Sequence, residues 1–121
     1  MSELESHTKK FQKELSTGTV SLVLLAVLDQ AKEPMYGYQI AKRLEHGGES
    51  FLSGKQSALY PVLRNLDASG LLASEVEPSV AGPPRRYYRI TPQGREILSA
   101  WIQHWTAARD AVDNILEGRT P

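Results

Sequence analysis

The 121-residue sequence predicts a mainly α-helical chain with a small β-hairpin and a long final helix. Three observations carry that prediction. Apolar residues favour helices at about 19–31, 36–46, 56–69 and 92–117. Between them, LLASEVE and RRYYRI shift to short β-capable runs around the turn-rich stretch PSVAGPP. Boundary residues punctuate the helices: Gly47-Gly48 and Gly70 as stops, Thr91-Pro92 as a start.

Residues 3–16 predict a short first helix using Leu4, Phe11 and Leu15, interrupted at Thr17-Gly18-Thr19. The run VSLVLLAVL, residues 20–28, is apolar all round, as in the central helix of a small bundle. Nine residues fall short of the roughly 20 that a membrane span needs. The opening MSELESHTKK carries acids and does not resemble a secretory signal, so a cytoplasmic protein with no membrane contact is expected. KEP, residues 32–34, is a turn. The next helix carries Ile40, Ala41 and Leu44 on one face, and a loop through Ser53-Gly54 leads to the third. PSVAGPP reads as too loose for a two-residue hairpin.

In the third helix Leu59, Val62, Leu63 and Leu66 share one face, which leaves Ser57, Tyr60, Pro61, Arg64 and Asn65 outside. Pro61 lies in the first two turns, where its missing N–H frees the Ser57 carbonyl. Hydroxyls, an arginine and an amide on an open helix face suit a DNA groove. A surface helix that tolerates a proline fits the same pattern. Alternation in the second strand sends Tyr88 and Ile90 one way and Tyr87 and Arg89 the other. AGPPRRYYR, residues 81–89, holds three arginines and no acid, with Pro83-Pro84 stiffening the approach to Arg85 and Arg86. An ordinary solvated loop can have that composition too.

Three helices followed by a hairpin form the winged variant of the helix-turn-helix, in which the third helix faces the major groove. The formal net charge is +0, so no global field draws the chain to nucleic acid. Its distribution is uneven, with residues 36–95 at +3 between acidic flanks. Residues 1–91 are expected to form the winged-helix domain and residues 92–121 a dimerisation helix.

MYGYQIAKRL (35–44), SALYPVLRNLDASGLL (57–72) and GPPRRYYRITPQGREIL (82–98) together resemble the PadR-type transcriptional regulators, in that family's order and spacing. The resemblance covers most of residues 17–98. It implies a dimeric winged-helix repressor of an inverted-repeat, double-stranded DNA operator. It also implies DNA-facing roles for Tyr38, Ser57, Tyr60, Pro61, Arg64, Pro83, Pro84, Arg85 and Arg86. One departure stands out: the family has glycine and then serine or threonine before LYP, whereas this chain has Ser57-Ala58.

On the last helix Ile97, Trp101, Trp105, Ala108, Val112 and Ile115 make a near-heptad stripe, widened by Leu98 and Ile102. A small domain can cover only the start of it, so a second copy of the chain is expected on Leu98, Trp101, Ile102, Trp105, Ala108, Val112 and Ile115. Resemblance to the short multidrug-sensing members implies that a planar aromatic effector stacks on Trp105, with Trp101 one turn earlier. Plain interface packing by the two tryptophans is the competing reading, since tryptophan is enriched at interfaces.

Other classes fit poorly. There is no cysteine, and His7, His46 and His104 are scattered without a ligand or nucleophile partner at working distance in sequence. No cofactor, metal or enzymatic reaction is expected. The rival reading is a winged-helix module that binds proteins instead of DNA, and the three clustered arginines speak against it.

Overall fold

The computed structural model describes residues 2–46 and 56–119. In chain order these form α1 (Glu3–Gln30), β1 (Met35–Tyr36), α2 (Gly37–His46), α3 (Gln56–Ala68), β2 (Leu72–Ser79), β3 (Gly82–Ile90) and α4 (Pro92–Leu116). The strands make one antiparallel sheet in the order β1-β3-β2. The expected stop at Gly47-Gly48 and the loop through Ser53-Gly54 lie outside the described residues.

Three elements differ from expectation. First, α1 is a single 28-residue helix running through Thr17-Gly18-Thr19. A helical glycine costs only about 1 kcal/mol, and Thr19 Oγ1 donates back to the Leu15 carbonyl at 2.9 Å, so its hydroxyl is satisfied inside the helix. The length argument against a membrane span falls with this, because α1 is long enough and its best 18-residue window reaches a mean hydropathy of 1.2. Yet Leu24, Leu25 and Leu28 are buried in the bundle core. Second, Tyr36 leaves the expected start of α2 and, with Met35, pairs with Tyr87 and Tyr88 as a third strand.

Third, the hairpin closes tightly, with only Val80 and Ala81 between β2 and β3. Seven partner positions run from Leu72↔Ile90 to Ser79↔Gly82, with a register shift between Glu77 and Ser79. Pro78 sits opposite Pro83-Pro84 at that step, where residues lacking an N–H forfeit no ladder bond. Ser79 Oγ donates to the Pro83 carbonyl at 2.9 Å and fastens the tip.

All elements but the two-residue β1 place a buried side chain in one core. Leu24, Leu25 and Leu28 of α1 meet Ile40 and Leu44 of α2 and Leu59, Leu63 and Leu66 of α3. Leu71, Leu72, Tyr88, Ile90 and Leu98 close it from the sheet side. Burial pushes the Tyr88 phenol above its ordinary value of 10.0, so the ring stays neutral at working pH. α3 ends on Gly70 at φ +81°. The Gly70 N–H reaches the Asp67 carbonyl and the Leu71 N–H the Leu66 carbonyl, both at 3.0 Å. This is the paired cap that lets a glycine turn the chain out of a helix. Thr91 then ties the two ends together. Its hydroxyl donates to the Gly70 carbonyl at 2.7 Å and accepts from the Gly94 N–H at 2.9 Å, capping α4.

Candidate nucleic-acid interface

The side chains singled out on α3 and on the wing converge. Tyr38, Tyr60, Arg64, Pro83, Pro84, Arg85 and Arg86 all line one concavity of about 580 Å³. Pro61 and Asn65 lie exposed on the same helix. Ser57 belongs to the first turn of α3, but its side chain lies outside the described residues. Burying Leu59, Leu63 and Leu66 fixes the roll of α3 and therefore turns the Tyr60 and Arg64 positions outward.

Strand alternation sets the two wing arginines on opposite faces of β3. Arg86 shares a face with buried Tyr88 and leans across to β2, where its Nη1 donates to Ser74 Oγ at 3.0 Å. Ser74 Oγ donates in turn to Asp67 Oδ2 on α3 at 2.5 Å. Arg85 sits on the other face, its guanidinium 4.4 Å from the centre of the Tyr36 ring. Tyr36 is itself wedged edge-on against Tyr87, with ring centres 5.3 Å apart. A cation over an aromatic face gains about 0.5–1 kcal/mol at an exposed site, enough to bias its aim without neutralising it. Tyr38 carries Lys42 Nζ at 5.6 Å from its ring centre, which adds a fourth cation beside Arg64, Arg85 and Arg86.

Sequence reasoning missed four participants: Tyr36, Gly37, Asp67 and Ser74. A side chain at Gly37 would place its Cβ 2.4 Å from Tyr60 Cε1, so the Tyr60 ring packs on bare backbone at the start of α2. The signal available was a glycine opening a helix with no turn to explain it. Asp67 and Ser74 carry no such signal, because their meeting depends on how α3 lies over the sheet.

A second groove lies at the other end of the molecule. Gly18, Thr19, Ser21 and Leu22 of α1 and Trp101, His104 and Trp105 of α4 line a cavity of about 330 Å³. The two helices run antiparallel: Asp29 at the end of α1 accepts from Arg95 Nε at the start of α4 at 3.1 Å. Their free halves therefore leave the domain on the same side. Leu4 and Phe11 on α1 are exposed there, as are Val112, Ile115 and Leu116 on α4. Residues 107–119 are exposed throughout. Ile102 and Trp105 are 47% and 40% exposed, which leaves them free to meet a partner.

Leu98 corrects the expected partner surface. It is only 4% exposed and belongs to the chain's own core. The first turns of α4 lie on the domain, so Leu98 is covered there, while Ile97 and Trp101 pack partly against the same core.

The comparisons with known proteins agree with this fold. The protein-family model described as the Transcriptional regulator PadR-like family matches residues 24–100. The fold overlays on the crystal structure of a PadR family transcriptional regulator from Eggerthella lenta with a TM-score of 0.78 and 34% identity, covering 94% of this chain and 96% of that one. A PadR-like transcriptional regulator from Bacillus cereus gives 0.70 and 29%, covering 85% and 96%. A transcriptional regulator of Mycobacterium tuberculosis is 38% identical over 78 residues, 64% of this chain and 69% of that one.

Proposed function

The chain belongs to the PadR-like family of transcriptional regulators, DNA-binding proteins and not enzymes, and on that premise we propose that it is a cytoplasmic homodimeric repressor of an inverted-repeat operator. One observation carries this reading: α2, α3 and the wing bring Tyr38, Tyr60, Arg64, Arg85 and Arg86 to a single concavity. Helix side chains read base edges in the major groove, while the wing cations hold phosphate. A second copy of the chain covers the exposed apolar ends of α1 and α4, centred on Ile102, Trp105, Ala108, Val112 and Ile115. The twofold axis then sets two α3 helices about one DNA turn, ~34 Å, apart.

The test is to titrate the duplex upstream of the chain's own gene at two salt concentrations, alongside sedimentation of the free protein. A dimer whose affinity falls steeply between about 50 and 200 mM salt is expected. A monomer, or equally weak binding at both salts, would select the protein-binding module instead.

The α1–α4 groove supports a further role in release. Trp101 and Trp105 form one wall, opposite Leu22, and a flat hydrophobic molecule suits stacking on that aromatic wall. Such an effector acts only by binding one crossing of the long helices better than another. Trp105→Ala is expected to abolish release by planar aromatic dyes while changing operator affinity less than about threefold. Loss of dimer and operator binding together would assign the tryptophans to packing alone.

A further inference from the structure

The bond from Arg86 to Ser74 and on to Asp67 joins the wing to the recognition helix by side chains alone. We propose that Ser74 and Asp67 are positioning residues that aim Arg86 at the DNA backbone and set the spacing between wing and α3; this rests on the DNA-binding reading above.

The direction of the bonds supports it. A hydroxyl has one proton, and that of Ser74 goes to Asp67 Oδ2 at 2.5 Å. Its lone pairs are left for Arg86, whose Nη1 donates at 3.0 Å. The chain of bonds therefore has one polarity, from guanidinium to hydroxyl to carboxylate. Asp67 and Ser74 are part-buried, whereas Arg86 is exposed, so the anchor is fixed and the cation reaches solvent. The backbone register agrees: Ser74 stands opposite Tyr88 and Val76 opposite Arg86, which puts Ser74 and Arg86 on one face as diagonal neighbours.

The neutral spacer is what makes the arrangement useful. A direct Arg86–Asp67 ion pair would spend the cation internally, and phosphate would have to break it. No such pair occurs among the described residues, whose ion pairs lie elsewhere. Through Ser74, Arg86 commits one of its five N–H donors and keeps four, along with its full charge. Arg64 borders the same cleft with Asp67, Ala68 and Arg86, so the held guanidinium and the helix arginine face one cleft. Ordering a long side chain before binding removes much of the entropy that the complex would otherwise cost.

The experiment is a double-mutant cycle on operator affinity with Ser74→Ala and Arg86→Ala, read together with the Arg86 Nε–H resonance of the free protein. Ser74→Ala is expected to weaken binding about fivefold in the parent chain and by no more than about 1.5-fold when Arg86→Ala is already present. It should also sharpen the Arg86 resonance as that side chain becomes mobile. Ser74→Thr, which keeps the hydroxyl, should restore both readings.

Equal losses in the two backgrounds would overturn the proposal, because Ser74 would then act through something other than Arg86. An unchanged Arg86 resonance would overturn it as well. If the resonance responds but neither variant alters affinity, the side-chain bond exists and it is the DNA-facing role of Arg86 that fails.

Discussion

Replacing Arg85 and Arg86 together by alanine is expected to weaken duplex binding on the order of 10,000-fold near physiological salt, the dimer losing four charge-assisted contacts of about 1.5 kcal/mol each. The slope of log affinity against log salt should fall by about 3.6, about 0.9 for each of the four phosphates that the dimer's two wings release. The chain's formal net charge is +0, so no distant charge compensates for losing these two. Both side chains are exposed, and the core residue between the strand and helices is Tyr88, so the variant should keep its thermal midpoint within a few degrees. Arg89→Ala is the control. Arg89 is exposed too, but it borders a separate small cavity beside Glu75 and Glu77, and its loss should leave the salt slope unchanged. A double variant that binds DNA with the parent slope would remove the wing from the interface.

Gly94→Ala is expected to destabilise the fold by about 3 kcal/mol, lowering the thermal midpoint by roughly 10 °C. Two effects oppose each other here. Alanine is the better helix former by about 1 kcal/mol, and Gly94 lies within α4. But a Cβ there would stand 2.1 Å from the Leu71 carbonyl oxygen and 2.8 Å from Ile90 Cγ1. The carbonyl cannot retreat freely, since it accepts the Thr91 N–H at 3.1 Å. Sterics against backbone outweigh propensity. Gly18→Ala isolates the propensity effect, because nothing lies within 4 Å of its would-be Cβ. That variant should be more stable than the parent by up to about 1 kcal/mol. Calorimetry of the two variants with the parent distinguishes the outcomes, and a neutral Gly94→Ala would mean that α4 sits less closely on the turn after α3.

Much of this architecture was legible one element at a time. The stripe of Leu59, Leu63 and Leu66 sets which face of α3 is buried, and the period-two pattern separates Tyr88 from Tyr87. Gly70 and Thr91-Pro92 mark helix ends through local backbone preferences, and the chain obeys them. The misreadings share a cause. Gly18 looked like a break because propensity is a weak signal beside the packing of Leu24, Leu25 and Leu28 further along the same helix. PSVAGPP looked loose because its prolines suggested a loop, whereas three prolines at an irregular ladder step cost no hydrogen bond. Leu98 looked available to a partner because periodicity shows a stripe but not how far the domain covers it.

The order of the core helices and the hairpin, the outward face of α3 and the arginine-rich hairpin were determined by the sequence itself, since each depends on residues a few positions apart. What only the tertiary structure decided is which distant groups meet: Arg85 on Tyr36, Arg86 on Ser74 and Asp67, Tyr60 on Gly37, and Trp105 across from Leu22. Periodicity fixes the direction of a side chain about its own helix or strand. It carries no information on the distance between two such elements, and that distance is set by close packing of the shared core.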